Sequence, residues 1–144
     1  MQKLFLFAAL LSFAACTKKV SDTYSPAISA RAPFFKNASE TFDLVSKQVR
    51  KFHANENLKS VDRVSYLFSG NKGYAIVFYT TNKSTSNMVV KKEYTNGLET
   101  GVSVTKCSGS SCNCTVNAVI GNDGNVEVSC SCSSCTMTTN SGAQ

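Results

Sequence analysis

A chain of 144 residues has room for one domain with a core of its own. Apolar residues make up 42% and charged residues 17%, a balance that excludes wholesale disorder. The formal charge of +6 is unevenly placed: residues 16–106 carry 14 Lys and Arg against 7 Asp and Glu, whereas residues 107–144 carry Asp123, Glu127 and no base. Cationic surface of this size favours anionic membranes or glycans, or simply keeps a domain soluble.

The chain begins MQKLFLFAALLSFAA. One Lys precedes an apolar run, and small residues follow it, which is the pattern of a secretory signal over residues 1–15. The run is too short to span a hydrocarbon core of about 30 Å as a stable helix. Phe13-Ala14-Ala15-Cys16 resembles the lipobox of bacterial lipoproteins, with Phe13 where that family usually has Leu. The resemblance implies that Cys16 is acylated on its thiol, becomes the first residue after cleavage, and is then acylated on its new amine. Thr17 stands where Asp would mark inner-membrane retention in enterobacterial lipoproteins, so the resemblance implies the outer membrane. It reaches no further than about residue 17 and implies location, not activity. Residues 16–33 are polar, with Lys18, Lys19, Pro26 and Pro33, and read as a flexible tether with room for a short edge strand around 27–30.

Residues 34–135 read as a single α+β domain. Asn37 followed by Glu40 is a capping-box-like helix start. Phe42, Val45, Val49 and Phe52 then recur at helical spacing, which predicts a helix over 38–53 with Lys47, Arg50 and Lys51 on its outer face. Strands are expected at 61–68, 74–80, 87–94, 98–106, 112–120 and 125–132, forming an antiparallel meander with the helix packed on one face. The run Tyr74 to Tyr79 lacks polar alternation and is expected to be buried on both faces. Residues 136–144 are small and polar and are expected to fray.

Two hairpin registers follow from parity, because a one-residue slip sends every side chain to the other face. Cys112, Cys114, Val116, Ala118, Ile120, Val126, Val128, Cys130 and Cys132 are all even-numbered. They share a face when the loop is Asn122-Asp123-Gly124 and Gly121 lies opposite Asn125. By the same rule a Thr95-Asn96-Gly97 loop sets Tyr94 against Leu98, Val90 against Val102 and Met88 against Val104.

Cys107, Cys112, Cys114, Cys130, Cys132 and Cys135 crowd into 29 residues, and they carry the main chemical signal of the chain. Disulfides are the first reading, since the signal implies an oxidising compartment and the count is even once Cys16 is set aside. Cys114 opposite Cys132 is within the span a disulfide accepts. Cys112–Cys135 is a second pair, leaving Cys107 and Cys130. The other reading is a thiolate metal site, with Cys112, Cys114, Cys130 and Cys132 on one face holding zinc or copper(I). A redox-active Cys132-Ser133-Ser134-Cys135 pair is a third, though no helix N-terminus is expected there to lower a thiol pKa.

No catalytic constellation is visible. His53 stands alone as the chain's histidine, and there is no phosphate loop or zinc-protease motif. The sequence therefore points to a structural or binding protein of the cell envelope, held to a membrane by its lipid, with no expected cofactor, no nucleic-acid partner, and a protein or glycan partner left open.

Overall fold

The computed structural model describes residues 33–142, with the backbone of 19–20, 27–29 and 32. The signal segment and Cys16 lie outside the described residues. In chain order the elements are β1 (Lys19–Val20), β2 (Ala27–Ser29), β3 (Ala32–Pro33), α1 (Ala38–Phe52), β4 (Leu58–Ser69), β5 (Lys72–Thr81), β6 (Thr85–Thr95), β7 (Leu98–Ser108), β8 (Val116–Ile120), β9 (Val126–Cys130) and β10 (Thr136–Ser141). The fold is α+β, with one helix on an antiparallel sheet and a cysteine-rich C-terminal hairpin. Among the described residues no helix is long and apolar enough to cross a membrane.

Helix α1 starts as its sequence requires. The Asn37 side chain accepts a hydrogen bond from the Glu40 N–H at 2.9 Å, and the Glu40 carboxylate accepts one from the Lys36 N–H. His53 closes the far end, donating its backbone N–H to Val49 O at 2.8 Å. Val45 and Val49 are fully buried, with Phe42, Leu44 and Phe52 partly buried beside them. An isolated helix of this length is marginal in water, so its stability comes from this packing.

The main sheet runs β1-β4-β5-β6-β7-β10. Strands β4 to β7 form the expected meander. Strand β5 is fully buried on its helix side at Ala75, Val77 and Tyr79. On the other face Tyr74 is buried and Ile76 and Phe78 are only partly so, short of the burial on both faces that its apolar run predicts. Ala75, Val77 and Tyr79 face the helix with Met88, Val90, Val102 and Val104; Tyr74 and Val89 face the other way. The last two predicted strands do not extend this sheet. They form a separate two-stranded hairpin, β8–β9, laid against the face opposite α1. The molecule therefore has three layers: helix, sheet and hairpin.

Three further expectations need correction. The tail expected to fray from 136 instead forms β10, which pairs antiparallel with β7 from Thr136↔Ser108 to Ser141↔Ser103. Its small polar residues suit a solvated edge strand, where the backbone ladder rather than apolar contact holds the chain. The short strand around 27–30 is present as β2, but it pairs with β3 in a ribbon of its own. The edge beside β4 is taken by Lys19–Val20, which run parallel to it.

The β6–β7 turn is the third correction. It is a two-residue turn, Asn96-Gly97, with Thr95 opposite Leu98. Both central residues have positive φ, 53° and 77°, which the type I′ turn demands and Asn-Gly supplies at little cost. A two-residue turn alone would split the apolar set across faces. Thr100 is therefore bulged between Glu93↔Gly101 and Tyr94↔Glu99, restoring even parity. Val90 then meets Val104, not Val102, and Lys92 meets Val102.

Candidate functional site

The β8–β9 hairpin takes the expected register, with Val116 opposite Cys130 and Ile120 opposite Val126. Gly124 sits in the left-handed region at φ 77°. Val116, Ala118, Val126, Val128 and Cys130 pack on Tyr74, Val89 and Cys107 of the sheet. Asn87 of β6 is buried and its amide acts as a piece of strand: Nδ2 donates to Val116 O and Oδ1 accepts from Val116 N, both at 2.8 Å. At the hairpin tip, the Ser69 hydroxyl donates to Gly124 O at 2.6 Å.

Three disulfides tie residues 107–114 to residues 130–135: Cys107–Cys130, Cys112–Cys132 and Cys114–Cys135. The first was left over in the sequence reading; the other two differ from it. Cys114 is not joined to Cys132, nor Cys112 to Cys135, because the ladder ends at Val116↔Cys130. Beyond it Ser131 N still donates to Thr115 O at 2.9 Å, but the Ser131 hydroxyl stands in for a ladder carbonyl, accepting from Thr115 N at 3.0 Å and donating to Asn113 O at 2.9 Å, so the regular pairing stops there. A tight turn closed by Cys135 N donating to Cys132 O, at 3.1 Å, then brings Cys135 back to Cys114. Cys130 is held by Cys107, so the four-sulfur set expected from Cys112, Cys114, Cys130 and Cys132 is not the one the fold assembles.

The fold instead gathers Cys112, Cys114, Cys132 and Cys135, whose Sγ atoms all lie within 4.8 Å of one another. Between the two bridges, Cys112 Sγ is 3.3 Å from Cys135 Sγ and 3.7 Å from Cys114 Sγ, and Cys132 Sγ is 3.5 Å from Cys135 Sγ. All four residues are partly exposed, whereas Cys107 is buried. Gly109 leaves the space for this cluster. A Cβ there would stand 2.8 Å from Cys114 Sγ and 3.4 Å from Ser134 O. Gly109→Ala is thus expected to force Cys114 and Cys135 apart, raising the free-thiol count by two in an alkylation and intact-mass assay; closure of all three bridges in that variant would show that the loop yields.

The helix side holds two lysines that the sequence reading did not single out. Lys92 and Lys106 are 5% and 6% exposed, and both fall on the parity of Met88, Val90, Val102 and Val104. That parity was the signal available in the sequence. Lys92 Nζ donates to Phe34 O at 2.8 Å, pairs with Glu99 at 2.9 Å and Glu40 at 3.6 Å, and lies 5.2 Å over the Phe34 ring. It stands at the base of a cleft of about 850 Å³ between α1 and the β6–β7 turn, lined by Phe34, Leu44, Tyr94 and Leu98. Burial, with Glu99 and Glu40 nearby, pushes the Tyr94 phenol up to about 12.

Lys106 Nζ donates to His53 Nε2 at 2.5 Å, and His53 Nδ1 faces Glu56 at 3.9 Å. Burial holds the Lys106 amine below its usual value, opposed by Glu56. Burial and then the Lys106 charge hold His53 below its ordinary value; Glu56 opposes them and Lys83 adds to them. Neutral imidazole is the native form, so the unfolded chain takes up the proton first. The associated stability is present above the ordinary histidine pKa of about 6.5 and is lost as pH falls through the lower native-state value. Thermal melts at falling pH are expected to show this loss, and His53→Gln, which keeps an acceptor for Lys106, is expected to flatten it. An unchanged slope in that variant would place the titration elsewhere.

Comparison of the chain with protein-family models, with curated proteins and with solved structures finds no match.

Proposed function

We propose that this chain is an exported cell-envelope lipoprotein, anchored in the outer membrane through lipid on Cys16, whose domain serves a structural or binding role. The observation that carries the reading is the set of three disulfides, since such bonds persist in oxidising compartments and are rare in the cytosol. The apolar run and Phe13-Ala14-Ala15-Cys16 ahead of the domain support the same route. Acyl chains stabilise membrane attachment by about 0.8 kcal/mol per buried methylene, so two or three of them make a durable anchor. The cleft beside Lys92, apolar along its walls with Glu40, Glu99 and a protonated phenol at hand, has the size and mixed lining of a ligand site.

The test is to express the full chain in a bacterium with an exported-lipoprotein pathway and feed it a clickable fatty acid. Label on a mature chain that begins at Cys16, co-sedimenting with outer membranes, is the expected result. Cys16→Ser is expected to abolish the label and release the domain. An unlabelled chain that retains residues 1–15 would overturn the proposal.

A further inference from the structure

We infer that Cys112, Cys114, Cys132 and Cys135 form a redox-gated zinc site: closed as two disulfides when oxidised, and a tetrathiolate when a dithiol reduces them. This goes beyond the envelope reading and does not depend on it, because it rests on the sulfur geometry and on what holds those residues in place.

Zinc bound by four thiolates at about 2.3 Å places the sulfurs about 3.8 Å apart. The contacts between the two bridges already stand at 3.3, 3.5 and 3.7 Å, with all four sulfurs inside 4.8 Å. Breaking both S–S bonds lets the bonded pairs relax outward toward the same spacing, so the metal needs only a small expansion of a cluster that exists. A staple has no need for its sulfurs to converge; two bridges a few residues apart serve equally well.

The surroundings keep the four residues together after reduction. Cys107–Cys130 lies at the hairpin's seat on the sheet; Cys130 is partly exposed like the outer four, but Cys107 is 1% exposed, so this bridge offers a mild reductant one open sulfur where each outer pair offers two. With that bridge closed, residues 112–114 stay beside 132–135. On the other side β10 pairs with β7 directly after Cys135, at Thr136↔Ser108 and Met137↔Cys107, and fixes where Cys135 stands. Charge favours the metal as well. Residues 107–144 contain no Lys or Arg, so the segment that carries the four cysteines supplies no base of its own to pair with thiolates in a metal's place.

The chemistry balances with a dithiol as reductant. Two equivalents of dithiol each give two electrons and two protons to one bridge, leaving four Cys thiols and two oxidised dithiols. Zinc then displaces four protons to form a site of net charge −2. Two equivalents of a small-molecule disulfide run the exchange in reverse: each takes two electrons as it is reduced to two thiols, the two protein S–S bonds re-form, and zinc is released.

The experiment uses the full chain carrying Cys16→Ser, so that every reactive thiol belongs to the domain. The protein is treated with dithiothreitol, freed of it under anaerobic conditions, and titrated with cobalt(II) and then zinc. The expected result has three parts. Mass mapping after alkylation finds four labelled cysteines, with Cys107 and Cys130 unlabelled. Reduced protein takes one cobalt per chain with the absorption of a tetrahedral tetrathiolate, displaced by zinc, while oxidised protein takes none. X-ray absorption of the zinc form shows four sulfurs at about 2.3 Å. Cys114→Ser/Cys135→Ser is expected to weaken binding by more than about 100-fold, the upper end of what a lost outer-sphere partner costs. Labelling of all six cysteines, no metal uptake by the reduced chain, or a shell containing oxygen or nitrogen would overturn the inference. So would equal affinity in the folded double variant. If that variant does not fold, the absorption spectrum of the parent decides.

Discussion

Replacing Cys107 and Cys130 together with alanine is expected to destabilise the domain by about 3 kcal/mol, measured by chemical denaturation under oxidising conditions. The bridge spans a sequence separation of 23, but with Cys112–Cys132 still closed it shuts a path of only about nine residues, which removes entropy from the unfolded chain worth roughly 2.5 kcal/mol in the chain-entropy account. Cys107 is also packed among Tyr74, Val89 and Val116, so its loss subtracts contacts as well as a covalent link. The double replacement is required because a single one leaves a buried thiol free to exchange with the outer bridges. Of the three bridges, this one joins the hairpin to β7 of the main sheet, so its loss is expected to loosen the whole hairpin layer. A drop below about 1 kcal/mol would mean that packing and Asn87 hold the layer unaided.

Asn87→Ala is expected to cost about 2–6 kcal/mol. The amide satisfies both the N–H and the C=O of Val116, which is itself 1% exposed, and alanine leaves two buried backbone groups without partners, each costing about 1–3 kcal/mol. Hydrogen exchange should locate the damage: amides of β8 and β9 accelerate while those of β5 and β6 keep their protection. Asn87→Asp sharpens the test. It retains the acceptor for Val116 N but turns the donor into a buried carboxylate facing Val116 O, so its penalty is expected to be larger at neutral pH than in acid, where the carboxyl is protonated. Equal penalties at both pH values would mean that water reaches the site.

Much of the frame was legible because local chemistry and tertiary packing agree. Asn37 and Glu40 mark a helix start that the structure uses, and the even-numbered apolar set from 116 to 130 fixes a register that the 122–124 loop can close. Parity at β6–β7 was right and the pairing was offset by two, since Asn-Gly prefers a turn that needs both residues at positive φ and the chain repairs the face with a bulge at Thr100. The disulfide partners were not legible. They depend on where the ladder stops, and one side chain, Ser131, stops it. The buried lysines were hidden for a different reason. Composition says that Lys is exposed, and Lys92 is inside because Phe34 O, Glu40 and Glu99, from distant parts of the chain, converge on it. Strand β10 was missed because an edge strand held by its backbone leaves no apolar pattern to read.

The order of the three bridges has a consequence for how the chain matures. Every bridge joins a cysteine before the 122–124 turn to one after it, in the same sequence along both segments. A chain delivered from its N-terminus presents Cys107, Cys112 and Cys114 as a group before any of their partners arrives. An oxidase acting on residues as they emerge would join these neighbours to one another, and each such bond is wrong. Correct connectivity then requires either that oxidation wait for the hairpin to form or that an isomerase shuffle the early bonds, a process of seconds to hours. The yield of this protein should therefore follow the isomerising capacity of its host more closely than its oxidising strength.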